Sequence, residues 1–230
     1  MDAVENMSLM PLITNASLPV QMVMGLLLLV SLMSWWYIFL KMFAIRQAIS
    51  QSDVFEEAFW GHPDLARLYK DFLDERETAG SLERIFASGY SEFIKLKKKH
   101  DMDNAAVMDG ARRAMRATYQ REMDDLESHL SFLATIGSVS PYVGLLGTVW
   151  GIYHALLGMS GGGQVSIDQI SGPVGEALVM TAVGLIVAIP AVLAYNILGR
   201  TIARIEADLE GFARDLRELL LTAPADGQRD

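Results

Sequence analysis

The sequence predicts an all-α integral membrane protein with three transmembrane helices, two of them extended into a helical cytoplasmic domain. Three observations carry that prediction. The apolar residues, 51% of the 230, gather into three blocks of ~20 or more that are nearly free of charge, whereas a soluble chain spreads them by period. All 19 Lys and Arg lie in 41–134 or 199–230, and none lies in 1–40 or 135–198. The third observation is an absence. There is no cysteine, no Gly-rich phosphate loop and no nucleophile motif, and the four histidines (His62, His100, His129, His154) are scattered. The expectation is therefore no enzyme, no cofactor, no metal and no nucleic acid.

Residues 1–17 read as a periplasmic N-terminus and 18–40 as the first transmembrane helix. Pro19 suits a first helical turn, and Trp35, Trp36 and Tyr37 form an interfacial belt near the far end. The block is too long for the core of a cleaved signal and lacks a basic start. Lys41 and Arg46 follow at once, so the positive-inside rule keeps residue 41 onward in the cytoplasm. Residues 41–134 then read as a cytoplasmic helical domain. Phe55, Phe59 and Trp60 precede a break at Gly61-His62-Pro63, and Leu65, Leu68, Tyr69 and Phe72 resume helical spacing. A further helix carries Ile85, Phe86, Phe93, Ile94 and Leu96. Asp103-Asn104 is a helix cap, and the chain is expected to run from it without interruption into the next span. For Lys95-Leu96-Lys97-Lys98-Lys99 two readings stay open, a solvated face or contact with anionic lipid heads.

Residues 135–159 and 173–198 form a transmembrane hairpin around a periplasmic loop at 160–172, and 199–230 continue as a cytoplasmic helix and tail. Each run exceeds the ~20 helical residues needed to cross ~30 Å of hydrocarbon. On a helical wheel Gly137, Ser140, Gly144, Gly147, Thr148, Gly151, Ala155 and Gly158 share one face of the first run. Leu146, Val149, Trp150, Tyr153, Leu156 and Leu157 fall on the other. In the second run Ala177, Thr181, Gly184, Ala188, Ala191 and Tyr195 form the stripe. Small residues let helix backbones approach in lipid, so these faces, with Pro141 and Pro190, are expected to serve helix packing and an oligomer. Thr148 and Thr181 fall at similar depth, ~16 and ~12 Å from the loop side. Their hydroxyls either line a narrow polar path or bond back to their own helices. Glu176, in the expected first turn after Pro173, is either an interfacial structural acid or a functional one. His154 reads as a structural ring at the edge of the small-residue face.

The run Leu133-Ala134-Thr135-Ile136-Gly137 through Ser140-Pro141-Tyr142-Val143-Gly144-Leu145-Leu146-Gly147-Thr148 to Trp150-Gly151-Ile152 resembles the signature helix of the MotA/TolQ/ExbB proton-channel family. Gly175-Glu176-Ala177-Leu178, Thr181-Ala182-Val183-Gly184-Leu185, Ala188-Ile189-Pro190-Ala191 and Tyr195-Asn196 resemble its last helix. The Ser140-Pro141-Tyr142 form, Arg113-Ala114-Met115-Arg116 and the approach from Arg121-Glu122 to Glu127-Ser128-His129 resemble the TolQ branch. Gly175 and Met180 stand where alanines are expected.

The resemblance implies a bacterial inner-membrane motor subunit of a Tol–Pal system, supporting outer-membrane integrity and constriction during division. It implies a homopentamer around a TolR-like single-span dimer, with motion passed to a TolA-like protein. It also places Thr148 and Thr181 in the proton path and makes Glu176 a functionally sensitive acid. The three spans offer no carboxylate at mid-depth, so a partner's Asp is expected among the small-residue faces. An ExbB-like subunit energising outer-membrane uptake and a passive scaffold are the alternatives. A solute transporter fits poorly, because three spans without an internal repeat make a poor substrate cage.

Overall fold

The computed structural model describes residues 18–61, 64–99, 103–158 and 167–222. Among these the chain is helical and has no strand: α1 (Leu18–Gly61), α2 (Leu65–Asp74), α3 (Ser81–Lys97), α4 (Asn104–Glu127), α5 (Leu130–Gly158) and α6 (Ile167–Thr222). Three stretches are long and apolar enough to cross a membrane: Leu18–Gly61, Asn104–Leu157 and Ser171–Leu221. The chain divides into two compact units. One holds the described residues up to Leu40 with His129–Ile197, and the other holds Lys41–Ser128 with the described residues from Leu198 onward.

The first unit is built on three apolar helical segments. Val20, Met24 and Leu27 of α1 bury themselves with Ile136 of α5 and Met180, Val187 and Ala191 of α6. At the other end of this α1 segment, Tyr37 stacks on His129 (ring centroids 4.8 Å) and meets Phe132 edge-on (5.1 Å), at the start of α5. The segment therefore runs antiparallel to α5, and α1 begins at the end of the unit where α5 finishes. Leu32, Trp36, Leu146, Val149, Leu178 and Ile186 remain exposed around the unit. In water so much apolar surface is unfavourable, and in lipid it is the natural outer face.

In the second unit an aromatic cluster closes the core. Phe55 and Phe59 of α1 meet Phe86 of α3 and Phe212 of α6, with centroids 4.9–5.9 Å apart, and Tyr90 stacks on Phe86. Along the C-terminal part of α6, Ile202, Ile205, Leu209, Phe212 and Leu216 are buried and Leu219 is half-buried. Glu122 of α4 is nearly buried and accepts hydrogen bonds from Ser81 Oγ (2.8 Å) and Arg84 Nη1 (3.2 Å), which ties α4 to α3.

Two boundaries differ from the sequence reading. The long helix expected from Asp103 to the hairpin is broken, because α4 stops at Glu127 and α5 starts at Leu130. His129 sits at φ 66, the left-handed region where a helix cannot continue. Asp103 does occupy the N-cap position of α4, although its carboxylate makes no cap bond there. The last apolar helix begins at Ile167, six residues before Pro173, so that proline lies inside α6 instead of opening it. The first apolar helix, 44 residues long, ends at Gly61, where the break was expected. His62 and Pro63, the N-terminal segment 1–17, most of the 160–172 loop and the tail beyond Thr222 fall outside the described residues.

Candidate functional site

The small-residue faces of α5 and α6 meet each other within one chain. A methyl group placed on Gly144 would lie 2.7 Å from the Met180 carbonyl oxygen, 3.1 Å from Gly184 Cα and 3.2 Å from Thr181 Cα. One placed on Gly184 would lie 2.7 Å from the Ser140 carbonyl oxygen and 3.0 Å from Gly144 Cα. Backbone faces backbone here, with no flexible side chain able to yield. Further along, Gly151 faces Ala177 (2.9 Å to its Cβ), Gly147 faces Met180 (3.0 Å to its Cε), and Gly137 faces Val192. Contacts that climb α5 descend α6, so the two helices are antiparallel. Ala188 and Ala191 are buried with them.

Inside the chain the two small-residue faces are closed against each other at Gly144 and Gly184. Met180, where an alanine was expected, is fully buried and fills the space over Gly147. Pro141 and Pro190 lie within their helices, where each removes the N–H that would bond the carbonyl four residues earlier.

Thr148 lies between the Gly147–Met180 and Gly151–Ala177 contacts, while Thr181 lies beside Gly144. The two threonines are thus within about one helical turn of the same level, as the depth count predicted. Their environments differ. Thr148 is 5% exposed and its hydroxyl donates to the Leu145 carbonyl at 2.6 Å. That is the back-bonding arrangement, yet it spends only the donor, and the oxygen keeps lone pairs to accept. Thr181 is half-buried.

Glu176 is the tenth residue of α6, so the helix-start argument for its carboxylate does not hold. It remains interfacial by length. Counted back from Arg200 at ~1.5 Å per residue it is ~36 Å away, beyond a ~30 Å hydrocarbon core. Half-buried, it neighbours Ala177 at the Gly151 contact. His154 is exposed and lies against the rings of Trp150 (5.0 Å) and Tyr153 (5.7 Å). Among the described residues no three His, Asp or Glu side chains come together as a metal site. The Glu122 tie and the buried Lys41 were not foreseen, because isolated charges in a helical stretch give no periodic signal.

With this hairpin in view, residues 78–211 match the model of the MotA/TolQ/ExbB proton channel family. The chain belongs to that family. It is 44% identical over 195 residues to the Tol-Pal system protein TolQ of Pseudomonas aeruginosa, covering 85% of this chain and 84% of that one. It is 38% identical over 214 residues to TolQ of Haemophilus influenzae, covering 93% and 94% of the two chains. To the biopolymer transport protein ExbB of Xanthomonas campestris pv. campestris (strain B100) it is 36% identical over 209 residues, covering 85% and 79%. The match takes in all of α3, α4 and α5 and most of α6, so the α5–α6 contact lies wholly inside it.

Proposed function

We propose that this chain is the multi-span subunit of a proton-driven motor of the Tol–Pal type, seated in the bacterial inner membrane. Its N-terminus and hairpin loop would face the periplasm, with 41–134 and the C-terminal helix in the cytoplasm. The observation that carries the reading is that Thr148 and Thr181 lie within about one helical turn of each other in a tightly closed hairpin of a proton-channel-family chain. The spans add a constraint: no Asp, Glu, Lys or Arg occurs in 18–40, 130–158 or 177–199. A hydroxyl relays a proton but does not store one, so the group that loads and releases protons at mid-depth must come from elsewhere. A TolR-like dimer with an Asp in its single span would supply it.

In this reading Thr148 and Thr181 accept and pass the proton beside the partner's carboxylate. The subunits form a ring, a homopentamer by the family resemblance, around the partner's helices. Because the small faces are closed within each chain, the partner's helix would meet Thr181 and the exposed sides of α5 and α6, where lipid fills the rest. Motion would pass to a TolA-like protein that supports envelope integrity and constriction. An ExbB-like role in outer-membrane uptake is the second reading, favoured by the similarity to an ExbB chain over 85% of this one. Both readings share the proton step. Thr148→Val and Thr181→Val keep shape and remove the hydroxyl, and each is expected to assemble normally while losing at least about tenfold in proton-driven function. Serine at either position should restore part of it. Full activity in the valine variants would reduce both threonines to packing.

A further inference from the structure

Lys41 is the first charged residue after the apolar part of α1, yet it is only 6% exposed. Its ammonium donates to the Asp125 carbonyl at 2.7 Å and to Ser128 Oγ at 3.0 Å. The Ser128 hydroxyl in turn donates to the same carbonyl at 2.7 Å. Asp125 belongs to the last turn of α4, whose carbonyls have no N–H partner inside the helix and carry the negative end of its dipole. Lysine and serine together therefore cap the end of α4, directly before Ser128 leaves it at φ −51, ψ 139.

The cap is not an obvious gain in stability. Burial pushes the Lys41 ammonium below the ordinary lysine range, and the Asp125 carboxylate only partly opposes this. The desolvation cost of the buried ammonium offsets part of what the two hydrogen bonds and the helix end contribute. What an apolar replacement cannot do is hold the Asp125 carbonyl and the Ser128 hydroxyl in fixed directions.

We propose that Lys41 is a positioning residue: by pinning the end of α4 through Asp125 and Ser128, it makes motion of the hairpin pass into α4 instead of being absorbed at the break between α4 and α5. The transmission step rests on the motor reading, while the pinning step does not.

The test compares the full chain with Lys41→Met and Lys41→Arg by amide hydrogen exchange, thermal unfolding and complementation of a strain lacking the native chain. Lys41→Met is expected to melt within about 2 °C of the parent, to exchange the amides of 124–128 at least about tenfold faster, and to fail in complementation. Lys41→Arg should restore slow exchange and growth. Unchanged exchange in Lys41→Met overturns the pinning. Faster exchange with intact complementation overturns the transmission step, and a fall of many degrees in melting overturns the proposal in favour of a purely structural cap. If even the parent fails to complement, the motor reading is at fault, and exchange still decides whether Lys41 pins the helix end.

Discussion

Gly144 and Gly184 face each other so closely that a single methyl on either meets backbone at 2.7 Å. Gly144→Ala or Gly184→Ala therefore has to push α5 and α6 apart, at a cost of about 1–3 kcal/mol. Gly175 offers the control, because a methyl there meets nothing within 4 Å. Gly175→Ala should gain up to about 1 kcal/mol from helix propensity alone. Thermal unfolding of the three variants in one detergent checks the contrast, and equal melting temperatures would contradict the contact geometry. At this scale the sequence was informative where residues recur by period. The small-residue faces could be read from a wheel, and the similar depths of Thr148 and Thr181 from the rise per residue. Lys41, Ser128 and Glu122 could not, since a single buried charge is fixed by neighbours tens of residues away. Nor could Thr148's bond to the Leu145 carbonyl, which the wheel left as one of two alternatives.

Helix ends follow the same rule at the scale of elements. α1 stops at Gly61 as the Gly-His-Pro triplet required, and Asp64 caps α2 by accepting the N–H groups of Ala66 (3.0 Å) and Arg67 (3.2 Å). The break at Ser128–His129 carries neither Gly nor Pro, and Pro173 looked like a helix start because proline is favoured there. At the first break Tyr37 stacks on His129, and within α6 Ala177 docks on Gly151, contacts between segments that local punctuation does not report. The start of α3 yields a pH prediction. Gly80 N–H donates to Glu83 Oε2 at 3.3 Å, but burial, reinforced by Glu75, raises the Glu83 carboxyl above its usual range against the pull of that N–H and of Arg84. A carboxyl with a raised folded pKa binds its proton more tightly when folded. Its ionised form therefore costs stability at neutral pH, and the cost fades as pH falls through the folded value. Glu83→Gln keeps an acceptor for Gly80 and drops the charge. Its melting temperature should exceed the parent's at pH 7, with the gap shrinking toward pH 4, whereas a gap equal at both pH values would contradict the burial argument.

For the whole molecule, the one-sided distribution of Lys and Arg and three long apolar helices define a membrane subunit before any single residue is considered. Family membership adds proton conduction to that frame. The spans then supply the central claim of the proposal: they hold two hydroxyls within about one helical turn of each other but no Asp, Glu, Lys or Arg at mid-depth, so on that reading the chain would supply only half of a proton path. The direct measurement is proton flux into liposomes under an imposed gradient. The purified chain would be reconstituted alone, with a TolR-like single-span partner, and with that partner's intramembrane Asp changed to Asn. The account predicts flux at the level of empty liposomes for the chain alone, flux above that level with the partner, and its disappearance with the Asn variant. Flux above the empty-liposome level from this chain by itself would contradict it.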